Sequence, residues 1–145
     1  MAMHLPLARD PHPKAPGLAV GIDEALIARI VTSFYGMVRR DPALGPIFES
    51  RITDWDAHLE KLTRFWSSVT LLTGAYKGTP MQAHLGLPGV EDVHYAIWLQ
   101  LFDAALARHC TPAQAEIFRS RAVRMAASFR LAGRSGIRLE AVTSG

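Results

Sequence analysis

The chain of 145 residues has one cysteine, Cys110, so it holds no intramolecular disulfide and no zinc site built from two or four cysteines. That cysteine usage fits a reducing cytoplasm. No stretch approaches the roughly 20 apolar residues of a membrane-spanning helix, and the opening MAMHLPLARDPHPK has no apolar run of signal-peptide length. GxGxxG and GxxxxGK[ST] are missing, which removes the usual signals for cradling a dinucleotide or a nucleoside triphosphate. HExxH and GxSxG are missing too, and the acidic residues are scattered, so neither a zinc protease, a serine hydrolase nor a paired-carboxylate glycosidase has an anchor. Sustained period-2 alternation is also lacking. The net charge is only +3, and the arginines near the C-terminus, from Arg119 to Arg138, mostly alternate with alanines and apolar residues. They read as the solvated face of a helix, with an anion or nucleic-acid footprint as the other reading.

What the chain does have is helical periodicity and globular composition, 49% hydrophobic and 20% charged, enough for one domain with a real core. Residues 1–21 hold Pro6, Pro11, Pro13 and Pro16 without an apolar period and read as a flexible arm; residues 133–145 read as a tail. Between them, Asp23 can cap a helix carrying Leu26, Ile27, Ile30, Val31, Phe34 and Val38 at three- and four-residue spacing. Asp41-Pro42 stops it, and PALGPIF reads as a turn. A second long helix is predicted over 54–73, with Trp55, His58, Leu59, Leu62, Phe65, Trp66, Val69 and Leu72 inward and Gly74 ending it. Thr79-Pro80 opens a short helix broken by Gly86 and Pro88; two further helices run over 92–108 and from Thr111-Pro112 to 132. The fold class is all-α.

The unusual feature is where histidines and aromatics fall. His58 lies on an apolar helix face, where a lone histidine is commonly a satisfied core residue. His84 sits on a short, proline-started, glycine-broken helix that packing alone explains poorly but that aims an imidazole well, and neutral imidazole ligates iron as readily as zinc. Phe34 and Tyr35 fall on the first helix, Phe48 ends the turn and Trp98 points inward; a buried phenol or indole needs a polar partner, the other reading being a partly exposed Tyr35 and an ordinary core Trp98. A non-haem iron site from His58, His84 and Asp54 or Asp56 is one reading of these residues. A helical nucleic-acid-binding or adaptor module using the arginine-rich last helix is another.

Four stretches carry a family resemblance: FYGMVRRDPALGPIF at 34–48, WDAHLEKLTRFW at 55–66, YKGTPMQAHLGLP at 76–88 and IWLQLF at 97–102. In this order and spacing the chain resembles the group III (P-type) truncated haemoglobins, globins built as a two-on-two helical sandwich around haem. The glycine pairs of groups I and II are absent. The resemblance implies a haem domain over 22–132 that binds haem b, iron protoporphyrin IX, with His84 as the proximal iron ligand. It implies distal roles for Tyr35, His58 and Trp98, and haem contacts for Phe34, Phe48, Leu62 and Tyr76. Lys61 stands where it would pair with a propionate. O2, NO, CO and peroxide are the implied small ligands, in NO dioxygenase-like or peroxidase-like chemistry that would draw on an external electron donor. The long arm and His94, where an aromatic is expected, depart from the pattern; His94 then reads as a surface or haem-edge residue. His4, His12 and His109 read as exposed.

Overall fold

The structure is a computed structural model and describes residues 10–76 and 90–134. Among these there is no strand, and five α-helices follow a 3-10 turn at Leu18–Val20: α1 (Glu24–Arg40), α2 (Leu44–Glu49), α3 (Trp55–Leu71), α4 (Asp92–His109) and α5 (Pro112–Arg134).

Local chemistry sets their ends. Asp23 is extended and its Oδ1 accepts from the Leu26 N–H at 2.8 Å, starting α1. Asp41, forced extended by Pro42, stops α1. Its carboxylate then accepts from the N–H groups of Ala43 and Leu44 at 2.9 and 2.8 Å. PALGPIF is therefore no simple turn: the residue that ends one helix nucleates the next. Gly45 makes the tight junction possible, because a Cβ there would lie 2.7 Å from the Arg39 carbonyl oxygen.

Asp54 Oδ1 accepts from the Ala57 N–H at 3.1 Å to start α3. The helix ends at Leu72 and not at Gly74: Leu72 takes the left-handed conformation, φ 53°, which turns its side chain outward to 47% exposure. The spacing that predicts Leu72 inward fails because the helix has already stopped. Reciprocal bonds start the last two helices, Glu91 with His94 for α4 and Thr111 with Gln114 for α5.

α1 packs on α3 and on α4, and α4 packs on α5. The six residues of α1 that the spacing predicts inward, from Leu26 to Val38, are all buried, and Tyr35 is buried with them. Phe102 and Phe118 lie at the centre, with Trp66 stacked on Phe102 at 5.2 Å and tilted on Phe118 at 5.6 Å. Truncating such a ring costs about 3–5 kcal/mol. The segment before α1 is fastened from His12 on. The N–H groups of His12 and Gly17 donate to the carbonyls of Leu71 and Thr70, at 2.9 and 2.8 Å, which satisfies the open end of α3. No helix among the described residues is long and apolar enough to cross a membrane.

Candidate functional site

Phe34 and Tyr35 are adjacent on α1 and so point about 100° apart. Phe34 turns toward α4, with its ring 5.7 Å from Trp98 and 5.1 Å from Phe102. Tyr35 turns toward α2 and α3, edge-on to His58 at 5.1 Å, with Phe48 at 5.9 Å and Trp55 at 6.0 Å. One turn of α4 stacks Trp98 on Phe102, 6.0 Å apart and 8° from parallel. Phe34, Tyr35, Phe48, His58 and Trp98, drawn from four helices, thus form one cluster.

Its polar atoms are sealed. Tyr35 is 2% exposed, and burial drives its phenol far above the ordinary range, with hydrogen bonding to Trp98 working weakly the other way. Tyr35 is therefore an O–H donor at every working pH. The Nε2 of His58 and the Nε1 of Trp98 are shut off from solvent. Trp55, which closes the cluster toward α2, points its indole N–H outward to Glu49 Oε1 at 3.3 Å, under the Arg39 guanidinium 4.4 Å from its ring.

Beside the cluster lies an apolar cavity lined by Leu44, Ile47 and Phe48 of α2, Val90, His94, Tyr95 and Trp98 on the α4 side, and Phe129 of α5. Phe48 and Trp98 belong to both. His94 is explained here: its Nδ1 accepts from the Glu91 N–H at 2.8 Å, so the imidazole serves the helix start while its ring lines the cavity.

The remaining candidates are spread around this centre. Leu62 is buried, and Lys61 next to it is exposed. Tyr76 is half-buried and packs edge-on to Phe65 at 5.4 Å. His84 lies outside the described residues, as do His4 and residues 77–88 of the third matching stretch. His12 is exposed as read, but His109 is half-buried with its Nε2 shut off from solvent. Trp55 and Phe102 join the site although the resemblance assigns neither a role. Their signal is helical spacing: Trp55 stands three residues before His58, and Phe102 four after Trp98.

An apolar cavity with aromatic walls, lying beside the cluster of Tyr35, His58 and Trp98 and sharing Trp98 and Phe48 with it, suits a flat apolar cofactor that presents a small polar ligand. Among the described residues no three of His, Cys, Asp and Glu gather as a metal set, and Asp54 is engaged as the α3 cap. Arg119 and Arg130 pair with Asp103 and Asp92 of α4.

No family model matches the chain. The group 3 truncated haemoglobin ctb of Campylobacter jejuni is 38% identical over 89 residues, 59% of this chain and 70% of that protein. The chain belongs to the group III truncated haemoglobins. The crystal structure of the group III truncated haemoglobin from C. jejuni superposes with a TM-score of 0.72 at 34% identity, over 76% of this truncated haemoglobin and 90% of that chain. The group II protein of Bacillus anthracis gives 0.65 at 25% identity, over 81% and 92% of the two chains. The truncated haemoglobin of Tetrahymena pyriformis, at 19% identity and a TM-score of 0.65 over 81% and 97%, shares the fold.

Proposed function

We propose that this truncated haemoglobin binds haem b through His84 and holds O2 and other diatomic ligands in a polar distal pocket. We place its role in oxygen, nitric-oxide or peroxide chemistry, in preference to bulk oxygen transport. The observation that carries the reading is the sealed Tyr35 phenol, kept protonated by burial and grouped with His58 and Trp98 beside an apolar cavity. Phe34, Phe48, Leu62 and Trp98 would wall the macrocycle, Tyr76 would bound it, and exposed Lys61 would pair with a propionate. Haem supplies an iron that takes a diatomic gas or peroxide.

The chain's own residues then set how firmly that ligand is held. A hydrogen bond to a partly charged acceptor is worth about 1.5–3 kcal/mol, or roughly 10- to 150-fold in release rate if fully expressed there. With Tyr35 and Trp98 both donating, release is too slow for efficient unloading. His58, with its Nε2 inside the cluster, can hold or pass a proton at that atom. No nucleotide-binding motif is present to recruit a reductant, so repeated turnover calls on an external electron donor. One half-buried cysteine, Cys110, suits a cytoplasmic setting.

Absorption spectra of the purified protein, oxidised and dithionite-reduced, with and without CO, test the cofactor. A Soret band that shifts with CO and is lost or remade in His84→Ala supports it; a flat spectrum after haem reconstitution removes it. Tyr35→Phe should speed oxygen release about 10- to 150-fold, and an unchanged rate takes Tyr35 out of the role.

A further inference from the structure

The aromatic cluster reaches solvent at Trp55. Phe34, Tyr35, Phe48 and Trp98 are buried, whereas Trp55 is half-buried. Its ring lies 6.0 Å from that of Tyr35 and 5.6 Å from that of His58, so rings run in contact from the sealed phenol to the surface. We propose, resting on the peroxide reading of the function, that Trp55 is the outlet through which a small phenol outside the protein delivers electrons to peroxide reduced in the pocket.

The surroundings of the indole are the first argument. Trp55 Nε1–H donates to Glu49 Oε1 at 3.3 Å, and the Arg39 guanidinium stands 4.4 Å from the ring. That cation favours the neutral, electron-rich indole and opposes a second positive charge beside it. An electron therefore leaves Trp55 readily only when the Nε1 proton leaves with it. Glu49 is the acceptor already in place, fixed by its 2.9 Å bond from Arg39. Its carboxylate is exposed, so the proton passes on to water.

The other aromatic routes are the second argument, because they lack this arrangement. Trp98 stacks on Phe102 and Phe102 on Trp66, but the rings then run through Phe65 to Tyr76, and phenylalanine is the hardest of them to oxidise. Tyr95 lines the cavity close to Trp98. Burial raises the Tyr76 and Tyr95 phenols and so opposes loss of their protons, and at Tyr95 the Asp92 charge adds to the effect.

The chemistry balances as a hydrogen-atom exchange run twice. Hydrogen peroxide takes two electrons and two protons as its O–O bond breaks and two waters form. For each electron that Trp55 gives up, its N–H bond breaks and the proton goes to Glu49 and on to water. The phenol then returns one electron and one proton: its O–H bond breaks, the indole N–H is remade, and a phenoxyl radical leaves. Two phenols are oxidised for each peroxide reduced. A phenol suits this site because it gives up electron and proton together, and its ring packs against the open side of the indole.

The test uses the haem-loaded full chain with hydrogen peroxide, guaiacol as the phenol, and a nitroso spin trap read by peptide mass spectrometry. Without guaiacol the trap should mark Trp55, and guaiacol should suppress the adduct. Trp55→Phe should lose both the adduct and most of the guaiacol oxidation. Trp55→Tyr, which keeps an oxidisable ring, should recover part of that rate. Glu49→Gln should slow guaiacol oxidation by up to about 100-fold, the lower range for a positioned proton acceptor. A Soret band that shifts with CO, the same in every variant, shows that haem and pocket are intact. A parent without that band overturns the haem reading, and the outlet with it. With the band present, three results overturn the outlet alone: no reduction of peroxide, an adduct on Tyr76 or Tyr95 in place of Trp55, or guaiacol oxidation unaffected by Trp55→Phe.

Discussion

At the C-terminal end of α3, Ser67, Thr70 and Thr73 are buried, and their hydroxyls are bonded within the protein. Ser67 Oγ donates to Glu24 Oε2 at 2.6 Å and meets Thr73 Oγ1 at 2.8 Å, and Thr70 donates to the Trp66 carbonyl at 2.7 Å. At the N-terminal end of the same helix, His58 faces Tyr35 in a shell of rings, with a cavity alongside. The first arrangement has the chemistry of a clasp. It ties α1 to α3, and through the Thr73 and Ser68 hydroxyls it anchors Ala75 and Tyr76, where the chain leaves α3. The second has the chemistry of a receptor, because a phenol, an indole and an imidazole are gathered among apolar rings beside a cavity. Buried polarity therefore means different things according to what surrounds it, and burial alone would not separate the two.

The largest expected effect comes from breaking the clasp. Ser67→Ala leaves a carboxylate and a threonine hydroxyl without their shared partner. It should lower stability by about 1.5–3 kcal/mol, the usual worth of a hydrogen bond to a charged group. Urea midpoints give the loss, while oxygen release should match the parent. A release rate shifted as far as that of Tyr35→Phe would show that the two ends are not independent.

The receptor end has its own signature in alkali. Folding holds the Tyr35 phenol protonated well above its ordinary pKa near 10, whereas the unfolded chain ionises there. Its contribution is complete below that pH and is lost as pH rises further, by about 1.4 kcal/mol per pH unit. Tyr35→Phe should flatten that decline, leaving what half-buried Tyr76, Tyr95 and Cys110 add, since burial raises them too. Ser67→Ala should retain the full slope. If the slope survives Tyr35→Phe unchanged, the phenol is not sealed in solution.

Much of this contrast can be read from residue order, and the rest shows what order cannot carry. The inward face of α1 is legible because six apolar residues recur at helical spacing, whereas Tyr35 lies outside that set and is buried by Phe48 and His58 from other helices. Trp98 and Phe102 are legible for the same reason. α2 is hidden behind Asp41-Pro42 and Gly45-Pro46, which read as breakers until the Asp41 side chain is seen capping the new helix. The tie between His12, Gly17 and the end of α3 uses backbone groups, which leave no side-chain pattern. His109 reads as exposed from its place after Arg108, yet the packing of α4 against α1 half-buries it. The iron-ligand role of His84 comes from family resemblance, and its position is outside the described residues.

Leu72 gives a smaller test at the clasp. A branched residue in the left-handed region costs roughly 1–2 kcal/mol, and with 47% of Leu72 exposed, little packing offsets that. Leu72→Gly should raise stability by up to about 1 kcal/mol after the entropy of glycine is counted. A loss in thermal unfolding would mean that the exposed side chain contributes more than its backbone strain costs.

The smallest effect is expected at the outer edge of the receptor, where Glu49 accepts from Arg39 at 2.9 Å and from the Trp55 indole at 3.3 Å. The Arg39 bond first, then the Trp55 bond, hold its carboxyl below the usual glutamate range. A carboxylate lowered by folding stabilises above its unfolded pKa and loses that contribution as pH falls through its folded one. The group is fully exposed, so solvent screens most of the effect. Glu49→Gln should therefore remove a shallow acid-side dependence of stability, together with a Trp55 fluorescence change titrating below the ordinary glutamate range. Oxygen release should not move, because the bonds it breaks lie outside the Tyr35 cluster. If release does change, Trp55 is a working wall of the pocket, and the receptor extends from the Tyr35 phenol to the surface pair of Arg39 and Glu49.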